Sequence, residues 1–331
     1  MRTRTGRARP VLALAAAVVV AAASLGGCGG AAAGAGTGGT TVRIAPLQSA
    51  DALTLGQEDG GIAKALKAKG ARVAFTAPFP AFAPAAEAVR AGSVDITTGS
   101  ITSVVGALSG DNDVTVFAAQ PSDPASEGIA VPKGSPVRTI ADLRGRTVAV
   151  NRGGTGEYLL LKALRQAGIP AGQVTRRYIP PADAAPAFAA GKVDAWAVWG
   201  TFFATAQTAY GGRVLTTGGR IGSQNDVVYV ARTAFLKAHP DLVKTVADTV
   251  FATSAKARSD PARTVGVYRD RLKLPEPVAA YMGRHIAHPA VPVGPKTVRR
   301  YEDVAAFFAQ EKVIPAPVTI AGHVVDVRTL T

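Results

Sequence analysis

Along this chain short apolar runs alternate with longer stretches of helical period, and the alternation repeats. Val42–Leu47 reads as an apolar strand, and Gln57–Lys69 as an amphipathic helix with Ile62, Ala65 and Leu66 on one side, closed by Gly70. Arg72–Thr76, Pro84–Ala91 and Ser93–Thr97 continue as strand, helix and strand, and Val114–Ala119 adds a further strand. Gly128–Val131 opens a second series. Its strand Thr147–Val150 runs into the glycine-rich turn Asn151–Gly156, followed by a helix in which Tyr158, Leu159, Leu161, Lys162, Leu164 and Arg165 hold a helical period up to Gly168. Ala182–Ala190 reads as a helix, Val193–Val198 as a buried strand, Phe202–Tyr210 as a helix and Arg213–Leu215 as a strand. Ile221–Asp226 is then a return crossover and Val227–Val230 a strand. From there the pattern is helical: Asp241–Ala257, Pro261–Arg271, Pro277–Ile286 and Thr297–Gln310. The recurring strand–helix–strand unit predicts an α/β protein with mostly parallel sheets covered on both faces.

Two places in this pattern carry binding chemistry. A strand that ends in a glycine turn at a helix N-terminus presents free N–H groups and the positive end of the helix dipole. Gly154, Thr155, Gly156 and Glu157 stand at one such turn. Gly99 and Ser100, with Thr102 and Ser103 following, stand at the other, although one of these hydroxyls is expected to cap its own helix. In open α/β sheets ligands sit at the carboxyl ends of strands, which brings Trp196 and Trp199 toward the same cleft. Three residues apart on a strand end, the two tryptophans are not expected to share a role, and Trp199 is the expected cleft residue.

Composition narrows the class. Hydrophobic residues make 47% of the chain and charged residues 18%, a globular balance rather than a disordered one. Met1–Gly27 has Arg2, Arg4, Arg7 and Arg9 before an apolar run, Val11–Ala23, too short to span a bilayer, as in a signal peptide. Leu25-Gly26-Gly27-Cys28 resembles the lipobox of bacterial lipoproteins, which implies lipidation of Cys28. That cysteine is the chain's only one, so it forms no internal disulfide. Gly29–Thr41 reads as a flexible tether. The formal net charge of +14 includes the four leader arginines, and no Lys/Arg run or basic–aromatic interleaving points to nucleic acid. His285 and His288 are spaced for a metal pair, but Pro289 follows and no third ligand is evident, so no metal is expected. The glycine turn has neither the lysine of a P-loop nor the G-x-G-x-x-G of a dinucleotide fold, and no G-x-S-x-G elbow occurs. No catalytic set assembles and no cofactor is expected: binding, not catalysis, is the reading.

Three motifs in order carry a family resemblance: Gly153-Gly154-Thr155-Gly156-Glu157-Tyr158-Leu159, Pro181-Ala182-Asp183-Ala184 with Ala187-Phe188, and Val193-Asp194-Ala195-Trp196 with Trp199. Glu58–Ile62, Ala91–Thr102 and Ile140–Gly145 match further steps of the same pattern. The chain resembles the extracytoplasmic solute-binding proteins of ABC importers, in the aliphatic sulfonate, taurine and nitrate group. The resemblance implies a type II periplasmic-binding-protein fold: lobe one from residues 42–126 and 227–331, lobe two from 127–226, joined by a two-strand hinge that closes on ligand. It also implies a monomer, lipid-anchored to the outer face of the cell membrane, that gives a small organic anion, an aliphatic sulfonate by default, to a permease and its ATPase. Gln48, Ser49, Gly99, Ser100, Thr102, Gly154, Thr155, Gly156, Glu157, Trp196 and Trp199 are its expected ligand residues. Taurine, nitrate or a thiamine-precursor pyrimidine are the alternative ligands. A pyrimidine-synthesis enzyme of the related THI5-like type is disfavoured by the export signal and the single cysteine. The chain departs from the pattern at three acid or histidine positions. Gly200 replaces the acid of "W-D-P", Ser100 that of "G-D-x-P", and Glu157 the histidine of "A-H-Y". An acid beside an anion is repulsive, so Glu157 is expected either to face solvent or to meet a cationic group on the ligand.

Overall fold

Val42 and Ile44 are buried on either side of a half-exposed Arg43, and this alternation makes Thr41–Ala45 the first strand, β1, of a computed structural model that describes residues 39–110 and 112–331. Met1–Gly27 and Cys28 lie outside the described residues, as does most of the tether. The sequence predicts one helix over Gln57–Lys69; the structure has two, α1 (Ala52–Glu58) and α2 (Gly61–Ala68). Asp51 starts the first early by accepting the backbone N–H groups of Leu53 and Thr54. Gly60, at φ 71°, breaks the chain between them in a conformation that favours glycine. β2 (Arg72–Phe75), α3 (Phe82–Arg90), β3 (Ile96–Ser100), α4 (Ile101–Leu108) and β4 (Val114–Pro121) complete the first series.

The second series repeats it: β5 (Glu127–Val131), β6 (Thr147–Val150), α5 (Thr155–Gln166), β7 (Thr175–Tyr178), α6 (Pro181–Ala189), β8 (Ala195–Trp199), α7 (Gly200–Thr208) and β9 (Arg213–Thr217). The chain then returns through β10 (Asp226–Arg232) and the helices α8 (Thr233–Ala238), α9 (Pro240–Ser259), α10 (Pro261–Asp270), α11 (Glu276–Arg284) and α12 (Pro295–Gln310).

These strands form two five-stranded sheets, in the orders β2-β1-β3-β10-β4 and β7-β6-β8-β5-β9. The sheets are mixed rather than mostly parallel. Three neighbouring strands of each run parallel, whereas β10 is antiparallel to β3 and β4, and β5 to β8 and β9. The reason lies in the two crossovers, residues 122–126 and 218–225: each delivers a strand that enters its sheet from the cleft end. Helices cover both faces of each sheet. α1, α2 and α9 bury Leu53, Ile62, Leu66, Val243 and Val250 on one face of the first sheet, and α3, α4 and α12 bury Phe82, Val104 and Phe308 on the other. The second sheet packs α5 on one face and α6 and α7 on the other. Residues 261–284, grouped by sequence with lobe one, pack instead on that last face: Tyr268, Val278 and Tyr281 share a core with Trp196 and Phe203.

One aspartate ties each sheet together at the end away from the crossovers. Asp95 accepts from the backbone N–H of Arg43 at 3.0 Å, from the Arg43 guanidinium at 2.8 and 2.7 Å, and from Arg232 at 2.8 Å, linking β1, β3 and β10. Asp194 makes the corresponding bonds to the Thr147 N–H at 2.8 Å and to Arg146 at 3.3 Å. Burial pushes Asp95 up, but the hydrogen bonds from Arg43 and Arg232 outweigh it and hold the carboxyl below its ordinary value. Asp95→Asn is expected to cost about 2–3 kcal/mol in urea unfolding at neutral pH, and Asp194→Asn, whose carboxylate is partly solvated, about 1 kcal/mol or less. Because the folded value is depressed, the Asp95 contribution is in place above the unfolded value near 3.9. The gap between wild type and Asp95→Asn therefore narrows only as pH falls below about 4, toward the depressed folded value.

Candidate functional site

The carboxyl ends of both sets of strands open on one cleft of about 760 Å³. Gln48 and Ser49 follow β1, Gly99 and Ser100 end β3, and Asn151, Arg152 and Gly153 follow β6. Trp199, Gly200 and Thr201 stand where β8 passes into α7. Phe82, Leu55, Ile179, Phe202, Tyr268 and Met282 make the apolar wall.

Helix N-termini point into this space. α7 begins at Gly200 and α3 at Phe82, and neither has a side chain capping its first N–H groups. α4 is capped by Ser100, whose Oγ accepts the Ser103 N–H at 3.2 Å. None of these three helices carries an acid in its first turn, so their dipoles face the cleft uncompensated.

The glycine turn after β6 behaves differently from the sequence expectation. Two of its N–H groups are already taken: Gly156 donates to Asn151 Oδ1 at 2.7 Å and Gly153 to Glu157 Oε2 at 2.8 Å. Gly154 and Gly156 are absent from the cleft wall because they serve close packing. A Cβ on Gly154 would stand 2.7 Å from Ser103 Oγ, and one on Gly156 would stand 2.4 Å from the Ala197 carbonyl. Thr155 is fully buried behind the turn. What the turn offers the cleft is Arg152, whose guanidinium lies 3.7 Å over the ring of Tyr178.

Glu157 neither faces solvent nor lines the cleft. It is 1% exposed, accepts from Arg176 at 2.9 Å and from the Tyr178 hydroxyl at 2.6 Å, and so has its charge answered inside the fold. Burial, and then the bond to Glu157, push the Tyr178 hydroxyl above its ordinary value, so it stays a donor. Glu157 thereby fixes the ring on which Arg152 lies.

Trp196 also leaves the expected set. A three-residue offset puts it on the opposite face of β8 from Trp199, and its ring packs on Phe188 at 5.6 Å and Phe202 at 6.1 Å in the core. Trp199 ends the strand half-buried at the cleft.

Behind Ser100 runs a chain of hydrogen bonds that joins both lobes. Ser100 Oγ meets Thr102 Oγ1 at 2.9 Å, and Thr102 donates to Asn225 Oδ1 at 3.1 Å. The Asn225 amide donates to Thr155 Oγ1 at 3.2 Å and to Glu127 Oε2 at 2.8 Å. Ser223 donates to the other Glu127 oxygen at 2.5 Å. Thr102 therefore acts from behind the wall and not on it.

Gln48, Ser49, Gly99, Ser100 and Trp199 are thus gathered on the wall; Thr102, Gly154, Thr155, Gly156, Glu157 and Trp196 support it from behind. Sequence reasoning missed Arg152, Tyr178, Glu127 and Asn225. Arg152 was open to detection as the basic residue inside the turn, whereas Asn225 lies in a crossover with no local signal.

Residues 66–264 match the family model described as NMT1/THI5 like. The chain belongs to the NMT1/THI5-like family. It is similar to the putative aliphatic sulfonates-binding protein of Escherichia coli (strain K12), at 30% identity over 86% of this chain and 92% of that one. Among solved structures, the alkanesulfonate-binding protein SsuA from Xanthomonas axonopodis pv. citri, bound to MOPS, superposes with a TM-score of 0.81 at 25% identity, covering 87% of this chain and 99% of the other. The periplasmic aliphatic sulphonate binding protein SsuA from Escherichia coli gives 0.76 at 27% identity, over 86% and 92%. The two-lobed fold of this family member is therefore that of the periplasmic binding proteins.

The two tryptophans separate by measurement. Trp196→Ala is expected to cost about 3–5 kcal/mol of folding free energy and Trp199→Ala about 1 kcal/mol or less, read as shifts in chemical denaturation midpoint.

Proposed function

We propose that this protein captures an alkanesulfonate in the cleft and delivers it to an ABC importer. The observation that carries this reading is the meeting, in one cleft, of the acid-free N-termini of α3, α4 and α7 with the Arg152 guanidinium, beside an apolar wall. A sulfonate is a strong-acid anion with three acceptor oxygens and no donor. It suits N–H groups, hydroxyls and a guanidinium, and its hydrocarbon part suits Phe82, Trp199 and Phe202. Relatives named for aliphatic sulfonates support the same ligand class.

The reading is one of binding without chemistry. The hydroxyls of Ser100 and Thr102 are engaged in the chain to Asn225, and the cleft's imidazole, His285, meets Asp123 at 3.2 Å rather than a nucleophile. Export and lipid attachment through Cys28 would put the cleft at the outer face of the membrane, next to the permease, with the protein working as a monomer. Residues 42–126 and 227–331 on one side and 127–226 on the other are the proposed moving bodies, with residues 261–284 travelling with the second. Closure about the crossovers at 122–126 and 218–225 would seal the ligand in.

A thermal-shift panel of alkanesulfonates, taurine, sulfate, nitrate and thiamine-related pyrimidines tests the ligand class. A ligand at about a hundred times its dissociation constant adds roughly 2.7 kcal/mol of stability. Hexanesulfonate is expected to shift the melt more than taurine or nitrate, and Arg152→Ala to weaken its binding about tenfold or more with little change in the unliganded melting temperature. A panel in which only nitrate or a pyrimidine stabilises the protein would overturn the sulfonate reading.

A further inference from the structure

Glu127 opens β5 directly after the first crossover and contributes to the cleft wall, yet it is only 3% exposed. Its two oxygens are held by Ser223 at 2.5 Å and Asn225 at 2.8 Å, both from the second crossover and both neutral. The ion pairs described nearby go to other carboxylates: Arg176 to Glu157, and Arg300 to Asp226. The neighbours on the pairing strands, Trp199 on β8 and Thr217 with Gly218 after β9, bring no charge. From α5 come Thr155 and the Tyr158 hydroxyl, which accepts from the Gln224 N–H. Asp226, at the start of β10, repels the group. Arg152, Asp51, Glu87 and His285, the last paired with Asp123, line the same cleft. Glu127 is thus a buried carboxyl in an anion site with no cation of its own.

We propose that Glu127 is a proton-linked residue of this site: in neutral to alkaline medium, capture of a sulfonate draws a proton onto its carboxyl, so the anion is held more tightly in mildly acid medium than in alkaline medium. The inference rests on the sulfonate reading above.

Burial, opposed by the bonds from Ser223 and Asn225 and reinforced by Asp226, pushes Glu127 up to about 7. A sulfonate entering the cleft adds a second like charge and raises the group further, as Asp226 already does. Having no proton of its own, the sulfonate cannot donate to an ionised carboxylate, but it accepts from a protonated one. Below about pH 7 the free and bound proteins both carry the proton, and affinity is at its highest. Above that value the free protein has released the proton and binding must restore it, so affinity falls with pH until the raised value of the complex is passed.

Calorimetric titration of the full chain with hexanesulfonate, in Bis-Tris and Tris chloride between about pH 5.5 and 8.5, reads the linkage. The expected result is a Kd that weakens by up to about tenfold across the range, the limit set by a shift of one pKa unit, with proton uptake visible as a buffer-dependent heat. Glu127→Gln keeps a donor and an acceptor for Ser223 and Asn225, and its Kd is expected to stay within about threefold over the same range. His285→Gln is expected to retain the wild-type slope. A flat wild-type profile, or an unchanged slope in Glu127→Gln, overturns the proposal. Melting curves without ligand separate the two failures. A group with a raised folded value gives stability below its unfolded value and loses it as pH rises, so Glu127→Gln is expected to gain stability over wild type at about pH 8.5 and not at about pH 4.5. If no alkanesulfonate binds at any pH, the sulfonate reading falls and takes the linkage with it, while the melting difference still reports the buried proton. If hexanesulfonate binds and the linkage is missing, only the proposal fails.

Discussion

Asn225 is the constraint on which the cleft depends. It sits in the return crossover, buried, and its amide spends donor and acceptor on both lobes at once: Thr102 at the start of α4, Thr155 at the start of α5 and Glu127 at the start of β5. A buried amide left unpaired costs more than its bonds contribute in net terms, so each of these partners is held in place by the others. The second crossover is anchored along α5 as well, where Lys162 donates to the Gly222 carbonyl at 2.8 Å and Tyr158 accepts from the Gln224 N–H at 3.2 Å. Tyr158 in turn packs edge-on against Phe307 and Phe308 of α12. The two lobes are therefore joined on the crossover side by packing and hydrogen bonds, and any closing motion must pivot about that side.

The electrostatics of the cleft follow from where charges are spent. Glu157 stands at the N-terminus of α5, where an acid is favoured by the dipole, and Arg176 with the Tyr178 hydroxyl completes its coordination. That consumes the α5 terminus as an anion site but creates another. The ring of Tyr178 is held by the same carboxylate, and the guanidinium of Arg152, a residue of the cleft wall, lies on that ring. The helix terminus that looked most open to an anion is answered by its own acid, Glu157, and the neighbouring Arg152 takes over the role.

Much of this was legible in the chain. The two strand–helix series, the crossover at residues 221–226 and the boundaries of the late helices follow from period and from Gly or Pro at the ends, because those signals are local. The break between α1 and α2 was not, since Ile62, Ala65 and Leu66 keep an unbroken apolar face and the early start depends on the Asp51 cap. The sheet order needed information about which end a returning strand enters from, which no local pattern holds. A paired signal also passed unread: Ala91-Gly92-Ser93-Val94-Asp95 and Ala190-Gly191-Lys192-Val193-Asp194 stand at equivalent corners of the two lobes. Each places a left-handed glycine after a helix and an aspartate that accepts the backbone N–H of the neighbouring strand. At the site, Trp199, Ser100 and Gln48 were within reach because they follow strand ends. Asn225 and Glu127 were not, because their importance comes from contacts across 70 to 123 residues of chain.

The departures from the family motif make physical sense on this fold. Where the motif has an acid in "G-D-x-P", Ser100 caps α4 with a neutral hydroxyl; where it has one in "W-D-P", Gly200 begins α7 at φ 56°, a left-handed conformation in which a side chain is strained. Either acid would have set a carboxylate on a helix terminus that faces the cleft and cancelled part of the dipole there. With both missing, α4 and α7 present their positive ends undiminished. The one acid the chain gained, Glu157, is the one it buries and neutralises with Arg176. Loss of acid at the cleft wall and gain of acid behind it act in the same direction, leaving the wall more attractive to an anion, while Glu127, held only by neutral groups of the return crossover, stays as a buried carboxyl without an ion-pair partner among the described residues.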